Sequence, residues 1–142
     1  MILTLKAKGK KRSSQTKSKL KLENSDISFV YMAANAASEK KGEDILVLDV
    51  RKLTVIADYF IIITAKSTPQ VDAIAKYIEE ILNKYNCKLV FKEGFVQSSW
   101  VVLDYGNIVI HIMNEKERNY YKLEKFWSNA TFVESKVWKK AS

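Results

Sequence analysis

Few side chains in this 142-residue chain could do chemistry: one histidine, one cysteine and scattered carboxylates. The leading acids are Asp44, Asp49, Asp58, Asp72 and Asp104. Asp49 closes one apolar segment and Asp58 begins the next, and two carboxylates at strand ends can hold a divalent metal. The plainer reading is that they cap loops or pair with Arg51. A metal-dependent nucleotidyl transferase would place two acids alternately on one strand, whereas Asp49-Val50-Arg51 puts a guanidinium in the second place. A nucleophilic Cys87 would need His111 as its base, yet Cys87 begins an apolar strand and nothing supports a lowered thiol pKa. One Cys and one His fall short of the four ligands of a structural zinc site. Gly9, Gly42, Gly94 and Gly106 are too far apart for a phosphate-cradling loop. The expectation is therefore no catalytic residue, no metal and no cofactor.

The elements that would position these residues read as α-β-β-α-β-β-β-α. Ser25 or Asp26 can cap a helix whose apolar residues Ile27, Val30, Tyr31, Ala34 and Ala37 recur at helical spacing to Lys41, with Gly42 as the stop. Ile45–Val50 and Asp58–Thr64 are short, β-branched and almost wholly apolar, as strands covered on both faces are. Ser67-Thr68-Pro69-Gln70 is a helix start with a capping box. Val71, Ile74, Ala75, Ile78, Ile81, Leu82 and Tyr85 supply its apolar stripe. Cys87–Phe91 is expected as a third strand, followed by Gly94. Asn114 with Glu117 opens a last helix through Trp127, and residues 128–142 are weakly patterned. A helix between the second and third strands implies one mixed β-sheet of about five strands flanked by helices, an α/β fold.

The net charge of +8 is concentrated at one end. Residues 1–23 hold eight basic groups and Glu23, while the rest of the chain is near neutral. Residues 1–24 lack the apolar periodicity needed to offset ordering entropy, so they read as a disordered basic tail. Three roles stay open for it: solubilisation, non-specific contact with nucleic acid, or a transit peptide, although it is Lys-rich where such peptides favour Arg. The domain then runs over 25–128, with 129–142 as a weakly structured extension. The longest apolar run, Phe29–Ala34, is six residues against the roughly 20 of a membrane span, so no membrane contact is expected. A lone Cys cannot form an internal disulfide, so a reducing compartment is expected: the cytoplasm, or an organelle if residues 1–24 are a transit peptide.

Ser99–Tyr105 and Ile108–Met113 flank Gly106-Asn107, a strong hairpin signal. That turn pairs Tyr105 with Ile108, Asp104 with Val109, Leu103 with Ile110 and Val102 with His111, and sets Trp100 near Met113. One face then holds Val101, Leu103, Tyr105, Ile108, Ile110 and Ile112 and belongs to the core. The other holds Trp100, Val102, Asp104, Val109, His111 and Met113. It reads either as a solvated sheet surface or as a protein-binding surface with aromatic anchors.

Four blocks in order, Asp44-Ile-Leu-Val-Leu-Asp-Val-Arg51, Ala57-Asp-Tyr-Phe-Ile-Ile62, Trp100-Val-Val-Leu-Asp-Tyr-Gly-Asn-Ile-Val-Ile-His111 and Glu117-Arg-Asn-Tyr-Tyr-Lys-Leu-Glu-Lys-Phe-Trp127, resemble the ribosomal silencing factor, or Iojap-like, family. The resemblance covers about Ser28 to Trp127. It implies a nucleotidyl-transferase-like but non-catalytic sheet. It further implies binding to the large ribosomal subunit through large-subunit protein fourteen, steric prevention of subunit joining, and repression of translation. The hairpin is then the expected contact, with partner-binding residues Trp100, Leu103, Asp104, Tyr105, Gly106 and His111: Trp100 and Tyr105 lend aromatic area and Asp104 pairs with basic side chains of the partner. The resemblance also implies a homodimer, and the basic charge of the tail is expected to add a contact with ribosomal RNA. Two positions depart from the family pattern: Thr64-Ala65-Lys66-Ser67 where a Gly is frequent, and Asn107 where Asp is common. Two rival readings remain: an RNA-binding module led by the basic tail, and a nucleotidyl transferase using Asp49 and Asp58.

Overall fold

The computed structural model describes residues 26–140; the Ser25 cap and the expected tail lie outside them. Helix α1 (Asp26–Glu39) ends in two bonds, from Gly42 N to the Ala37 carbonyl at 2.8 Å and from Lys41 N to the Ser38 carbonyl at 3.0 Å. The left-handed residue is Lys41, at φ 68°, and not Gly42. Gly42 is needed because a Cβ there would lie 2.9 Å from both the Ala37 carbonyl oxygen and Ile63 Cγ2. Strands β1 (Glu43–Asp49) and β2 (Tyr59–Ala65) follow, and every residue of β2 is buried, as its unbroken apolar run requires. Helix α2 (Thr68–Lys84) starts as expected, with Ser67 Oγ accepting from Gln70 N at 3.2 Å. Gln70 Oε1 accepts from Lys66 N, while its amide group donates to the Lys40 and Lys41 carbonyls, tying the two helices together.

Strands β3 (Phe91–Phe95), β4 (Trp100–Asp104), β5 (Ile108–Asn114) and β6 (Thr131–Val133) complete one sheet in the order β3-β4-β5-β2-β1-β6. Only β2 and β5 run parallel; the other pairings are antiparallel. The hairpin register matches the expectation: Trp100 pairs with Met113, Val102 with His111, Leu103 with Ile110 and Asp104 with Val109. The turn closes through Tyr105 N to the Ile108 carbonyl at 2.8 Å, with Gly106 at φ 93°. A positive φ at the first turn position suits the twist of the flanking strands.

Three elements differ from the sequence reading. The third strand begins at Phe91, not Cys87. Asn86, at φ 64°, turns the chain out of α2, and Cys87 and Leu89 cross against the core as an extended connection. That contact explains the apolar run without a ladder; the strand itself is an exposed edge. The last helix breaks at Lys122, φ 46°, into α3 (Glu115–Tyr121) and α4 (Leu123–Phe126). Residues 129–140, the described part of the expected extension, are not loose: β6 pairs with β1, and α5 (Ser135–Trp138) sinks Trp138 to 5% exposure. The sheet therefore has six strands rather than five.

Both sheet faces are covered. On one, α1 and α2 pack Val30, Ala33, Ile74 and Ile78 against Ile61, Ile63, Leu103 and Ile110. On the other, Leu123, Ala130, Tyr121 and Trp127 pack over Phe60, Trp100, Val102 and Met113. The face that reads as solvated or partner-facing in sequence is thus a second core.

Candidate functional site

Four of the six expected partner-binding residues lie inside the molecule. Trp100 is 1% exposed, within ring contact of Phe95, Tyr121 and His111. It has no area left to lend to a partner in this conformation. Its indole Nε1 donates to His111 Nδ1 at 3.2 Å, which makes that nitrogen an unprotonated acceptor. His111 also meets the Phe60 ring edge-on. Burial pushes its pKa down to about 3, so the imidazole is neutral across the physiological range. Leu103 is fully buried among the residues under α1 and α2. Asp104 is buried too, and its Oδ1 accepts from Gly106 N at 2.7 Å, bracing the turn.

Tyr105 and Gly106, at the hairpin end, keep partial exposure. Tyr105 packs against the α1–α2 core, as its alternation predicts. Its hydroxyl is buried without a hydrogen-bond partner among the described residues. Burial, reinforced by the nearby Glu79 carboxylate, pushes this phenol well above its ordinary range. A Cβ on Gly106 would sit 4.0 Å from Val90 Cγ2, so the turn abuts the chain entering β3. Val90 and Phe91 are 56% and 42% exposed there. Beside this turn the chain entering β3 exposes Val90 and Phe91, while Tyr105 turns towards α2 and lines a cavity with Lys76, Glu79, Glu80 and Asn83. Val90 and Phe91 escape sequence reading because their apolar character places them in an interior strand. Asn107 donates its amide to Asp26 Oδ2 at 3.1 Å, and its carbonyl accepts from Asp58 N and Tyr59 N. An amide suits this place, where a carboxylate would face the Asp26 carboxylate.

Of the groups weighed for catalysis, Asp49 and Asp58 lie at neighbouring strand ends around Arg51, whereas Cys87 and His111 stand apart. Asp49 is gripped by Arg51, whose Nε and Nη2 donate to its two oxygens at 3.0 and 2.7 Å. That guanidinium holds the Asp49 carboxyl below its usual range. Cys87 lies against the α1–α2 core and His111 against the opposite one, so the sheet separates thiol from imidazole. Among the described residues no three His, Cys, Asp or Glu side chains gather to hold a metal.

Sequence reading misses one charged cluster. Arg118 is buried, and its Nη1 donates to the Asp44 carbonyl at 2.9 Å and to Thr64 Oγ1 at 2.6 Å. Its Nε lies 3.4 Å from Glu124 Oε1, and Glu117 is buried beside it in sequence. Asp44 offers its carbonyl from a left-handed residue, φ 46°, where the β1–β2 register shifts. Arg118 thereby fastens α3, and with it the cover over Trp100, to the sheet. Nothing in the spacing of Glu117-Arg118 distinguishes this pair from solvated surface charges.

Residues 23–142 match the family model described as "Ribosomal silencing factor during starvation". The chain is 38% identical over 107 residues to the ribosomal silencing factor RsfS of Bacillus subtilis, covering 75% of this chain and 91% of that one. It is 42% identical over 108 residues to the chloroplastic protein Iojap of Zea mays, covering 76% of this chain and 47% of the relative. A crystal structure of a protein from Chromobacterium violaceum superposes with a TM-score of 0.68 at 34% identity, over 70% of this chain and 83% of that one. Another, from Bacillus halodurans, gives 0.67 at 32% identity, over 77% and 99%.

Proposed function

The chain belongs to the ribosomal silencing factor family, and on that premise we propose that it binds the large ribosomal subunit through large-subunit protein fourteen. Bound there, it blocks joining of the small subunit and represses translation, without catalysing a reaction. The observation that supports a docking role is the exposure of apolar Val90 and Phe91 at the sheet edge beside the hairpin end. Apolar and aromatic side chains at such an edge are what protein partners use as anchors. In this reading Trp100, Leu103, Asp104 and His111 act from inside. They hold the hairpin's twist and brace its turn, and Asp104 positions the Gly106 backbone instead of meeting a basic partner directly. The basic residues 1–23 add contacts to ribosomal RNA phosphates. The protein acts wherever its ribosome is, in cytoplasm or organelle.

The test is sedimentation with purified large subunits, followed by addition of small subunits. Co-sedimentation and loss of joined ribosomes are expected. Val90→Glu with Phe91→Glu, both at exposed positions, is expected to weaken binding at least about tenfold while leaving the thermal midpoint in place. Removing residues 1–23 is expected to flatten the salt dependence more than it abolishes binding. Failure of the full chain to bind large subunits would overturn the proposal. Tight, salt-sensitive binding to naked RNA would then favour the reading led by the tail.

A further inference from the structure

On the helical face α1 and α2 leave a groove of about 450 Å³ that the end of α5 closes at one side. Its floor is apolar and aromatic: Tyr31, Met32, Ile81 and Trp138. On α1 the lining runs from Ser28 to Glu39 at steps of three and four residues. At 1.5 Å per residue this stripe is about 16 Å long, three turns of helix. Tyr77, Ile81 and Tyr85 form the matching stripe on α2. Two antiparallel stripes of this period form the seat into which an amphipathic helix lays anchors at i, i+3, i+4 and i+7.

The rim carries the charge. Lys84 and Lys140 line the groove, both exposed, and the Lys40 ammonium sits 4.7 Å over the Tyr77 ring. Glu39 is the one acid in the lining, with one oxygen accepting from the Tyr77 hydroxyl at 2.6 Å, and the three lysines outnumber it. Asn35 is spent on the Tyr31 and Trp138 carbonyls and on Lys140 N. An apolar floor under a cationic rim selects an occupant that is apolar on one side and acidic on its edges.

We propose that this groove binds an acidic amphipathic helix of about three turns from a partner protein. The chain's own residues 1–23 are excluded as occupant by charge, since eight basic groups against one acid would meet lysines. A second copy is disfavoured for the same reason: a two-fold contact sets each lysine rim against its own image.

The experiment uses the full chain, isotope-labelled, with a synthetic 14-residue peptide bearing Leu at i, i+3, i+4, i+7 and i+11 and Glu elsewhere. A peptide with Lys in place of Glu is the control. The acidic peptide is expected to move the resonances of Tyr31, Met32, Ile81, Tyr85 and the Trp138 indole, and to bind at least tenfold tighter than the control. Lys84→Glu with Lys140→Glu should weaken it at least tenfold with the fold intact; Tyr85→Ala, at a residue 47% exposed, gives a second, uncharged variant expected to weaken it several-fold. Equal binding of both peptides, or shifts confined to other faces, would overturn the proposal. So would concentration-dependent shifts at these residues without peptide, cross-links from residues 1–23 to Tyr85, or displacement of the peptide by a 12-nucleotide single-stranded RNA.

Discussion

Lowering the pH from 7.5 to 5.0 is expected to remove about 2 kcal/mol of stability through a single side chain. His111 is the only histidine in the chain, so no other imidazole titrates in that interval. Its pKa is 6.5 in the unfolded chain and about 3 in the folded one, where burial disfavours the imidazolium. Between those values the unfolded chain binds a proton that the folded chain refuses. Stability is therefore complete above pH 6.5 and falls as pH drops towards 3, at up to about 1.4 kcal/mol per unit. At pH 5.0, about 1.5 units below the unfolded value, the loss is about 2 kcal/mol. This figure rests on the unfolded pKa as long as the folded one stays well below 5. Asp49 lies outside the window: its folded pKa is lowered by Arg51, so its contribution is lost only as pH falls below the ordinary carboxylate value of 3.8. Urea denaturation at the two pH values measures the loss, as a midpoint shift of about 1 M for a typical m-value. His111→Gln keeps an acceptor for the Trp100 indole and should lose most of the pH dependence. An equal pH dependence in His111→Gln, or an imidazole titrating near 6.5 in the folded chain, would refute the reasoning.

Other perturbations have defined signs. Gly42→Ala is expected to cost about 1–3 kcal/mol, because the new Cβ meets a backbone carbonyl and Ile63 at 2.9 Å; Gly94→Ala, whose nearest neighbour is Ser98 Oγ at 3.5 Å, should stay within about 0.5 kcal/mol. Thermal denaturation of the pair checks the contrast. Thr64→Val takes one acceptor from the buried Arg118 guanidinium and should cost about 1–3 kcal/mol, with amide exchange accelerating in α3 before the central strands. Asn114→Ala removes the cap that accepts from Lys116 N and Glu117 N, and should cost about 1 kcal/mol in urea denaturation.

Local chemistry made much of this molecule legible in its sequence. The Gly106-Asn107 turn set the hairpin register residue by residue, because a two-residue loop and a period of two leave one pairing. Ser67 and Asn114 announced their helices through side-chain oxygens that cap the orphan N–H groups next to them in the chain. Asp49 with Arg51 was readable as an ion pair at a separation of two residues. What lies over the hairpin's second face was not readable. Alternation tells which residues share a face, yet whether Trp100 and His111 meet water depends on Tyr121, Leu123 and Trp127 folding back from beyond the strand. That return is decided by the break at Lys122 and by Arg118 reaching Asp44 and Thr64, 74 and 54 positions away. In the same way Val90 and Phe91 carry the character of core residues and became surface because the sheet ends at β3. Spacing along the chain governs hydrogen bonds a few residues apart. Burial is settled by contacts between distant segments, and only the tertiary structure closes those.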